Sequence, residues 1–363
     1  MGGGTAGHVS PLLAVAEAVR AAAPEAAFLF IGGRRGLEAD LVRAAGLPFH
    51  ATPMPSLRDP DSRLSLVVRA LLLPVAIVDA LIQIARFRPR ACCTSGGLVA
   101  IPVVLAARAA RVPVQLWVGD AVPGRALRLL AGWSTRIAAT FESARPLLPR
   151  GRTAVTGNPI RASLRGWTRT SGRERLGIPA DETVILVTGG SQGSERINEA
   201  LSGALPRLLR RAIVVHHAGA AHAGRAEARR AMLPDELRER YRPYAYLRDE
   251  MGAALASADL VVGRAGSSSI AEPLAFGVPL ILIPFGAAAS GHQAANARAA
   301  AESGAAAILR EGELDADRLA AFVAGLLDDA ERLRRMRTAA SAAGRPDAAD
   351  DIARELLAIG GCS

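Results

Sequence analysis

Short β-branched or apolar runs recur along this chain, alternating with longer Ala/Leu/Arg-rich stretches of helical character. In the first half the runs are Ala27 to Ile31, Arg90 to Thr94, Val112 to Val118 and Arg136 to Thr140. The rhythm restarts at Thr183 to Thr188 (TVILVT) and continues through Ala212 to His216, Ala258 to Val262 and Val278 to Pro284. A strand that is apolar on both faces needs helices on both sides, so these runs belong to parallel sheets built from β-α-β units. Two such series in 363 residues, more than one core usually serves, predict two doubly wound α/β domains. The boundary falls at TGNPIR, where a strand ends in Gly157, Asn158 and Pro159. We expect an N-terminal domain over residues 1–157, a C-terminal one over 158–340, and a tail over 341–363. Within that tail, Asp347 to Ile359 reads as a helix able to pack back on the first domain.

All 44 basic residues are arginine, against 34 acidic ones, for a net charge of +10. A lysine Schiff base or P-loop lysine is therefore excluded. The surplus favours phosphorylated small molecules or an anionic lipid face. Nucleic acid is not expected, because the arginines are dispersed and only 4% of residues are aromatic. Cys92, Cys93 and Cys362 have no zinc-ligand spacing and no evident disulfide partner, which fits a reducing compartment. The opening residues do not read as a secretory signal. A glycine turn directly after Met1 leads us to expect a buried strand ahead of it.

Leu64 to Ile84 is almost continuously apolar over a bilayer-spanning length, but Arg69, Pro74 and Asp79 interrupt it. A buried or interfacial helix is expected instead. Arg58, Arg63, Arg86, Arg88 and Arg90 flank it, as suits an apolar face among anionic headgroups or, equally, a core helix with a basic rim.

GGGTAGH places Gly2, Gly4 and Gly7 in G-x-G-x-x-G spacing before a helical run, where backbone N–H groups can hold phosphate. Ser95-Gly96-Gly97 and Gly189-Gly190-Ser191-Gln192-Gly193 repeat the arrangement after later strands. Each glycine either permits a tight turn only, or the three turns together serve more than one phosphate group. A nicotinamide dinucleotide is disfavoured, because Gly32, Gly33, Arg34 and Arg35 stand where an acidic ribose ligand belongs. Gly266-Ser267-Ser268-Ser269 reads as a serine-capped helix start with Glu272 in its first turn. That carboxylate either caps the helix or clasps two ribose hydroxyls. His216, His217 and His222 cluster without a metal motif and read as strand-end residues, and Asp59-Pro60-Asp61 reads as a solvated turn.

GGGTAGHVSP, GGRRGLEADLV, TSGGLVAIP, AVPGRALRLLA, VTGNPIR, VTGGSQGS, RAGSSSIAEPLAFGVPLILIPF and GHQAANA together resemble successive motifs of the MurG family of peptidoglycan N-acetylglucosaminyltransferases. The resemblance runs in order from Gly2 to about Asp328. It implies a GT-B fold, two Rossmann-like doubly wound parallel-sheet domains facing across a cleft. The implied reaction moves GlcNAc from UDP-GlcNAc to MurNAc-pentapeptide-pyrophosphoryl-undecaprenol with inversion, without a metal cofactor. The resemblance further implies peripheral attachment to the cytoplasmic side of the cell membrane, and a part in cell wall biogenesis, cell shape and cell division.

Residue by residue, the family pattern puts Glu272 on the donor ribose, Ser191 on the diphosphate, Arg161 beside the nucleotide and Gln293 on the sugar. The backbone of Arg248 would meet the uracil. Ser267 and Ser268 would bind substrate at their helix start, and Thr5, Ala6 and Gly7 would approach donor sugar and acceptor. His8 matches the proposed general base. A helix start disfavours imidazolium, which keeps such a base free, although the ring could instead only hydrogen-bond the loop. Two positions depart from the pattern. Trp117-Val118-Gly119-Asp120 replaces His-Glu-Gln-Asn, leaving Asp120 as a substrate-binding acceptor where asparagine stood, and Ala6 replaces glycine. A GT-B transferase for another lipid or natural-product acceptor, a non-catalytic UDP-sugar-binding relative and a UDP-sugar epimerase remain the alternatives.

Overall fold

The computed structural model describes residues 6–34, 38–54, 66–248, 250–286 and 291–361, without the side chains of residues 6–8 and 66–70. The chain divides into two compact units, Met1–Ala162 with Asp347–Ser363, and Ser163–Pro346.

In the first unit, β1 (Phe30–Gly32) and β2 (Phe49–Ala51) pair in parallel. A second parallel sheet runs β3 (Cys92–Thr94), β4 (Val114–Val118), β5 (Arg136–Ala139), β6 (Thr153–Val155). β4 is buried throughout. Its Trp117 packs with Ala14, Val15 and Val19 of helix Ala6–Ala22 and with Ile352 and Ala353 of helix Ala348–Ile359, so the last helix closes over the first. The unusual tryptophan is thus a core residue, and only Gly119 and Asp120 of its segment lie past the strand end. Gln115 on the same strand donates to Glu355 Oε2 at 2.9 Å, which ties sheet to helix a second time.

The apolar run forms helix Leu66–Phe87. Ala76, Ala80 and Ile84 are buried, whereas Leu71, Val75, Val78 and Ile82 face outward at 44–69% exposure. Asp79 turns toward the protein, and both its oxygens stand 3.0 Å from His50 Nε2 on β2. The charge that interrupts the run in sequence is therefore paired on the inner face, and the outer face stays apolar. Among the described residues no helix is long and apolar enough to cross a membrane.

The second unit holds β7 (Val184–Thr188), β8 (Ile213–His217), β9 (Tyr241–Tyr244), β10 (Leu260–Gly263), β11 (Leu280–Leu282) and β12 (Ala306–Ile308). They form one parallel sheet in the order β12-β11-β10-β7-β8-β9. One face is covered by helices Glu195–Leu208 and Ala316–Asp328, whose Ile197, Leu201, Leu205, Leu319 and Val323 join the core. Helices Arg169–Leu176 and Glu250–Ser257 pack closely through glycines: a Cβ on Gly172 would lie 2.6 Å from Ala253 O. The strand expected from Ala258 begins at Leu260, because Ala258 N–H still donates to Leu255 O at 3.3 Å as the preceding helix ends. From β7 the chain builds outward to β9 and then returns to β10 on the other side of β7. That reversal opens a crevice at the carboxyl ends of β7 and β10, the usual ligand position in such sheets.

Candidate active site

Two loops border this crevice. The first, Gly189 to Ser194, follows β7 and cannot tolerate side chains at its glycines. A Cβ on Gly189 would sit 2.2 Å from Ser194 N, and one on Gly193, at φ +78°, only 2.0 Å from Ala218 O. Gly190 N–H donates to Thr188 Oγ1 at 3.1 Å, which locks the turn to the strand end and leaves Ser191 exposed at its tip. The first unit repeats the device: after β3, Gly96 N–H donates to Thr94 Oγ1 at 3.1 Å, and Gly96 and Gly97 have φ +83° and +87°. The second loop follows β10 and leads into helix Ser267–Ala275. The first N–H groups of any helix have no intrahelical acceptor and are suited to an anion.

Two sequence expectations are corrected here. Gly266, not a serine, is the N-cap, and no side chain caps the helix. Ser267 and Ser268 are half-buried first-turn residues, their hydroxyls not engaged as caps. Glu272 consequently falls in the second turn rather than the first, because the helix starts at Ser267. It is half-buried there, so neutralising the helix N-terminus does not explain it.

Gln293 lies in helix His292–Glu302, and its Oε1 accepts the Phe285 N–H at 2.9 Å, just beyond β11. Arg248 is exposed after β9, with its guanidinium 5.8 Å from the Tyr246 ring centroid. Tyr246 in turn meets His217 edge-on at 5.2 Å. Arg264, at the end of β10, was not anticipated from sequence. It is buried and touches Ser194 Oγ, Ile283 O and Glu311. An arginine directly after a solid apolar strand was the available signal. Among the described residues no three His, Cys, Asp or Glu side chains converge as a metal site.

His216 is a strand-end residue with a structural duty. Its Nδ1 stands 2.7 Å from Tyr241 Oη and its Nε2 3.0 Å from Asn198 Oδ1. Burial, helped by His217 and His222, pushes it down to about 3 from 6.5. Between those values the unfolded chain binds a proton that the fold excludes, so stability falls as pH drops below 6.5. The free energy of urea unfolding should decline by up to ~1.4 kcal/mol per pH unit below about pH 6, and His216→Gln should flatten that slope.

In the first unit, Ala6 and Gly7 are the opening residues of helix Ala6–Ala22. Thr5, Gly2 to Gly4, Asp59 to Asp61, Arg58, Arg63, Cys362 and the His8 side chain lie outside the described residues. Asp120 is half-buried past β4, and Arg161 is half-buried at the end of the unit. Cys92 and Cys93 are thiols not joined in a disulfide, the latter pushed up to about 12 chiefly by burial.

The glycosyltransferase family 28 N-terminal domain matches residues 1–139, and the family 28 C-terminal domain matches residues 184–352. The UDP-N-acetylglucosamine–N-acetylmuramyl-(pentapeptide) pyrophosphoryl-undecaprenol N-acetylglucosamine transferase of Desulforudis audaxviator is 37% identical over 362 residues, covering 97% of this chain and 95% of that one. The transferase of the same description from Salinibacter ruber is 37% identical over 367 residues, covering 99% and 95%. Acinetobacter baumannii MurG superposes with a TM-score of 0.77 at 25% identity, over 99% of this chain and 98% of that one. The chain belongs to the MurG family. Its two parallel-sheet α/β domains are those of a GT-B fold, shared also by the calicheamicin glycosyltransferase CalG4 at a TM-score of 0.64 and 18% identity, over 98% and 96%. In this MurG-family chain six of the residues expected on the donor lie in the second unit, whereas Arg161 lies in the first. Ser191, Arg248, Ser267, Ser268, Glu272 and Gln293 all follow carboxyl ends of strands in the one six-stranded sheet.

Proposed function

We propose that this chain transfers GlcNAc from UDP-GlcNAc to a muramyl-pentapeptide pyrophosphoryl-undecaprenol acceptor, with inversion at the sugar. The observation that carries the reading is the pairing of a glycine turn and a helix N-terminus at one switch point, beside a half-buried carboxylate. The turn and helix donors suit a diphosphate. Glu272, an acceptor only, suits two ribose hydroxyls, and Gln293 suits the sugar. Arg248 contributes its backbone to the uracil, and Arg161 sits beside the nucleotide. His8 takes the proton of the acceptor hydroxyl as its oxygen bonds to C1 of GlcNAc. The C1–O bond to UDP breaks, and N–H dipoles with Arg161 receive the charge that develops, in place of a metal. Thr5, Ala6 and Gly7 approach the donor sugar and the acceptor, and Asp120 binds substrate past the end of β4. The assay is UDP release from UDP-GlcNAc in EDTA, with and without the lipid-linked acceptor. Release that requires the acceptor supports the reading. UDP-GlcNAc binding with no acceptor-dependent release sinks it.

The outward apolar face of helix Leu66–Phe87, with Arg86, Arg88 and Arg90 at its end, supports peripheral attachment to an anionic membrane surface. Replacing Leu71 and Val78 by serine should lower co-sedimentation with anionic vesicles several-fold, since each buried CH₂ contributes about 0.8 kcal/mol. Turnover of a detergent-solubilised acceptor should stay unchanged.

A further inference from the structure

Arg264 spans the two loops of the donor site, and its environment decides what it can do there. Nη2 donates to Ser194 Oγ at 2.7 Å, at the end of the glycine turn, and Nη1 donates to Ile283 O at 3.2 Å. The guanidinium lies 5.1 Å from the Phe285 ring centroid. Glu311 Oε1 stands 2.6 Å from Nη2, with both side chains 10% exposed. The other Glu311 oxygen accepts the Gly286 N–H at 2.8 Å. Phe285 N–H is held by Gln293. A buried cation whose charge is cancelled by a touching carboxylate adds little field to an incoming diphosphate. Its contacts instead fix one loop against the other.

We propose that Glu311 is a positioning residue for the sugar end of the donor, holding Phe285, Gly286 and Gln293 directly through Gly286 and, through Arg264, in register with the diphosphate turn. The inference rests on the donor reading above. Burial raises Glu311, but the Gly286 N–H and Arg264 more than offset it and keep the carboxylate ionised. Without Glu311, Arg264 retains Ser194 and Ile283, so the diphosphate side keeps its anchor while the sugar side loses one. The two ends of the donor should therefore respond differently.

Calorimetric titration of UDP and of UDP-GlcNAc into the full chain measures this, with thermal melting to establish folding. Glu311→Ala should weaken UDP-GlcNAc about tenfold and UDP less than about threefold. Arg264→Met, which releases both loops, should weaken both ligands by about tenfold or more. Should Glu311→Ala not fold, Glu311→Gln carries the test. It keeps an acceptor for Gly286 and loses the ion pair, so a several-fold loss confined to UDP-GlcNAc is expected. Equal losses for UDP and UDP-GlcNAc, or no loss for either, overturn the proposal alone. A wild-type chain that binds neither ligand overturns the donor reading and the proposal with it.

Discussion

In His8→Ala, acceptor-dependent UDP release should fall by about 10²–10⁴-fold while UDP-GlcNAc binding persists, because general-base transfer contributes on that order. His8 follows Gly7 at the start of helix Ala6–Ala22, in the first unit, whereas Ser191, Glu272 and Gln293 stand in the second. On the proposed reading the groups that hold the donor, namely the glycine turn, Glu272 and Gln293, are left in place by the substitution. The competing role, a ring that only hydrogen-bonds its loop, makes a different prediction for His8→Gln. An amide donates and accepts hydrogen bonds but does not take a proton near neutral pH. If His8 serves the loop alone, the glutamine variant recovers most of the rate. If it is the base, glutamine is as slow as alanine, and the split falls on kcat rather than KM. A glutamine variant with near wild-type turnover would rule out the proton-transfer role.

The strands that sequence exposed are those buried on both faces. β4, β7 and β8 are buried throughout and mostly apolar, and they were legible nearly residue for residue. β9 reads YRPY and β12 reads AAI at the sheet's two edges, where one side lacks a neighbour and the apolar signal fades. β2 is short and carries His50, whose partner Asp79 lies far along the chain, so neither residue alone announced the pair. The glycine turns were legible because φ above +75° at Gly96, Gly97, Gly190 and Gly193 leaves little choice of residue. Glu272 was misplaced by a turn because three serines resemble a cap, whereas Gly266 already has the extended φ −70°, ψ 152° of an N-cap. Arg264 and Glu311 escaped because their meaning is a contact between segments remote in sequence.

Asp259→Ala should cost the second unit about 3–5 kcal/mol, the range for removing one partner from a buried charge cluster. The carboxylate stands just before β10 and is 8% exposed. Oδ1 accepts from Arg169 Nη2 at 2.8 Å and Arg337 Nη2 at 2.9 Å. Oδ2 accepts from Arg173 Nη2 at 3.2 Å and from the Val184 N–H, at the start of β7, at 3.0 Å. One side chain thus joins helix Arg169–Leu176, helix Ala330–Ala343 and the central strand. Arg169 and Arg337 are about half exposed and can turn to water when it is lost, so they should contribute little. Arg173 cannot. It is 4% exposed, and burial together with Arg169 already pushes its pKa down, with Asp259 the largest opposing influence. Asp259→Asn, which keeps an acceptor for Val184 but not the charge, should fall between wild type and alanine in urea unfolding. Because Asp259 lies at the opposite end of β10 from the loops proposed to hold the donor, UDP-GlcNAc affinity below the unfolding transition should be unchanged in both variants. A loss under about 1 kcal/mol would mean that the carbonyls around Arg173, from Pro179, Ala180, Glu182 and Ser257, suffice to hold a buried cation without a counter-charge.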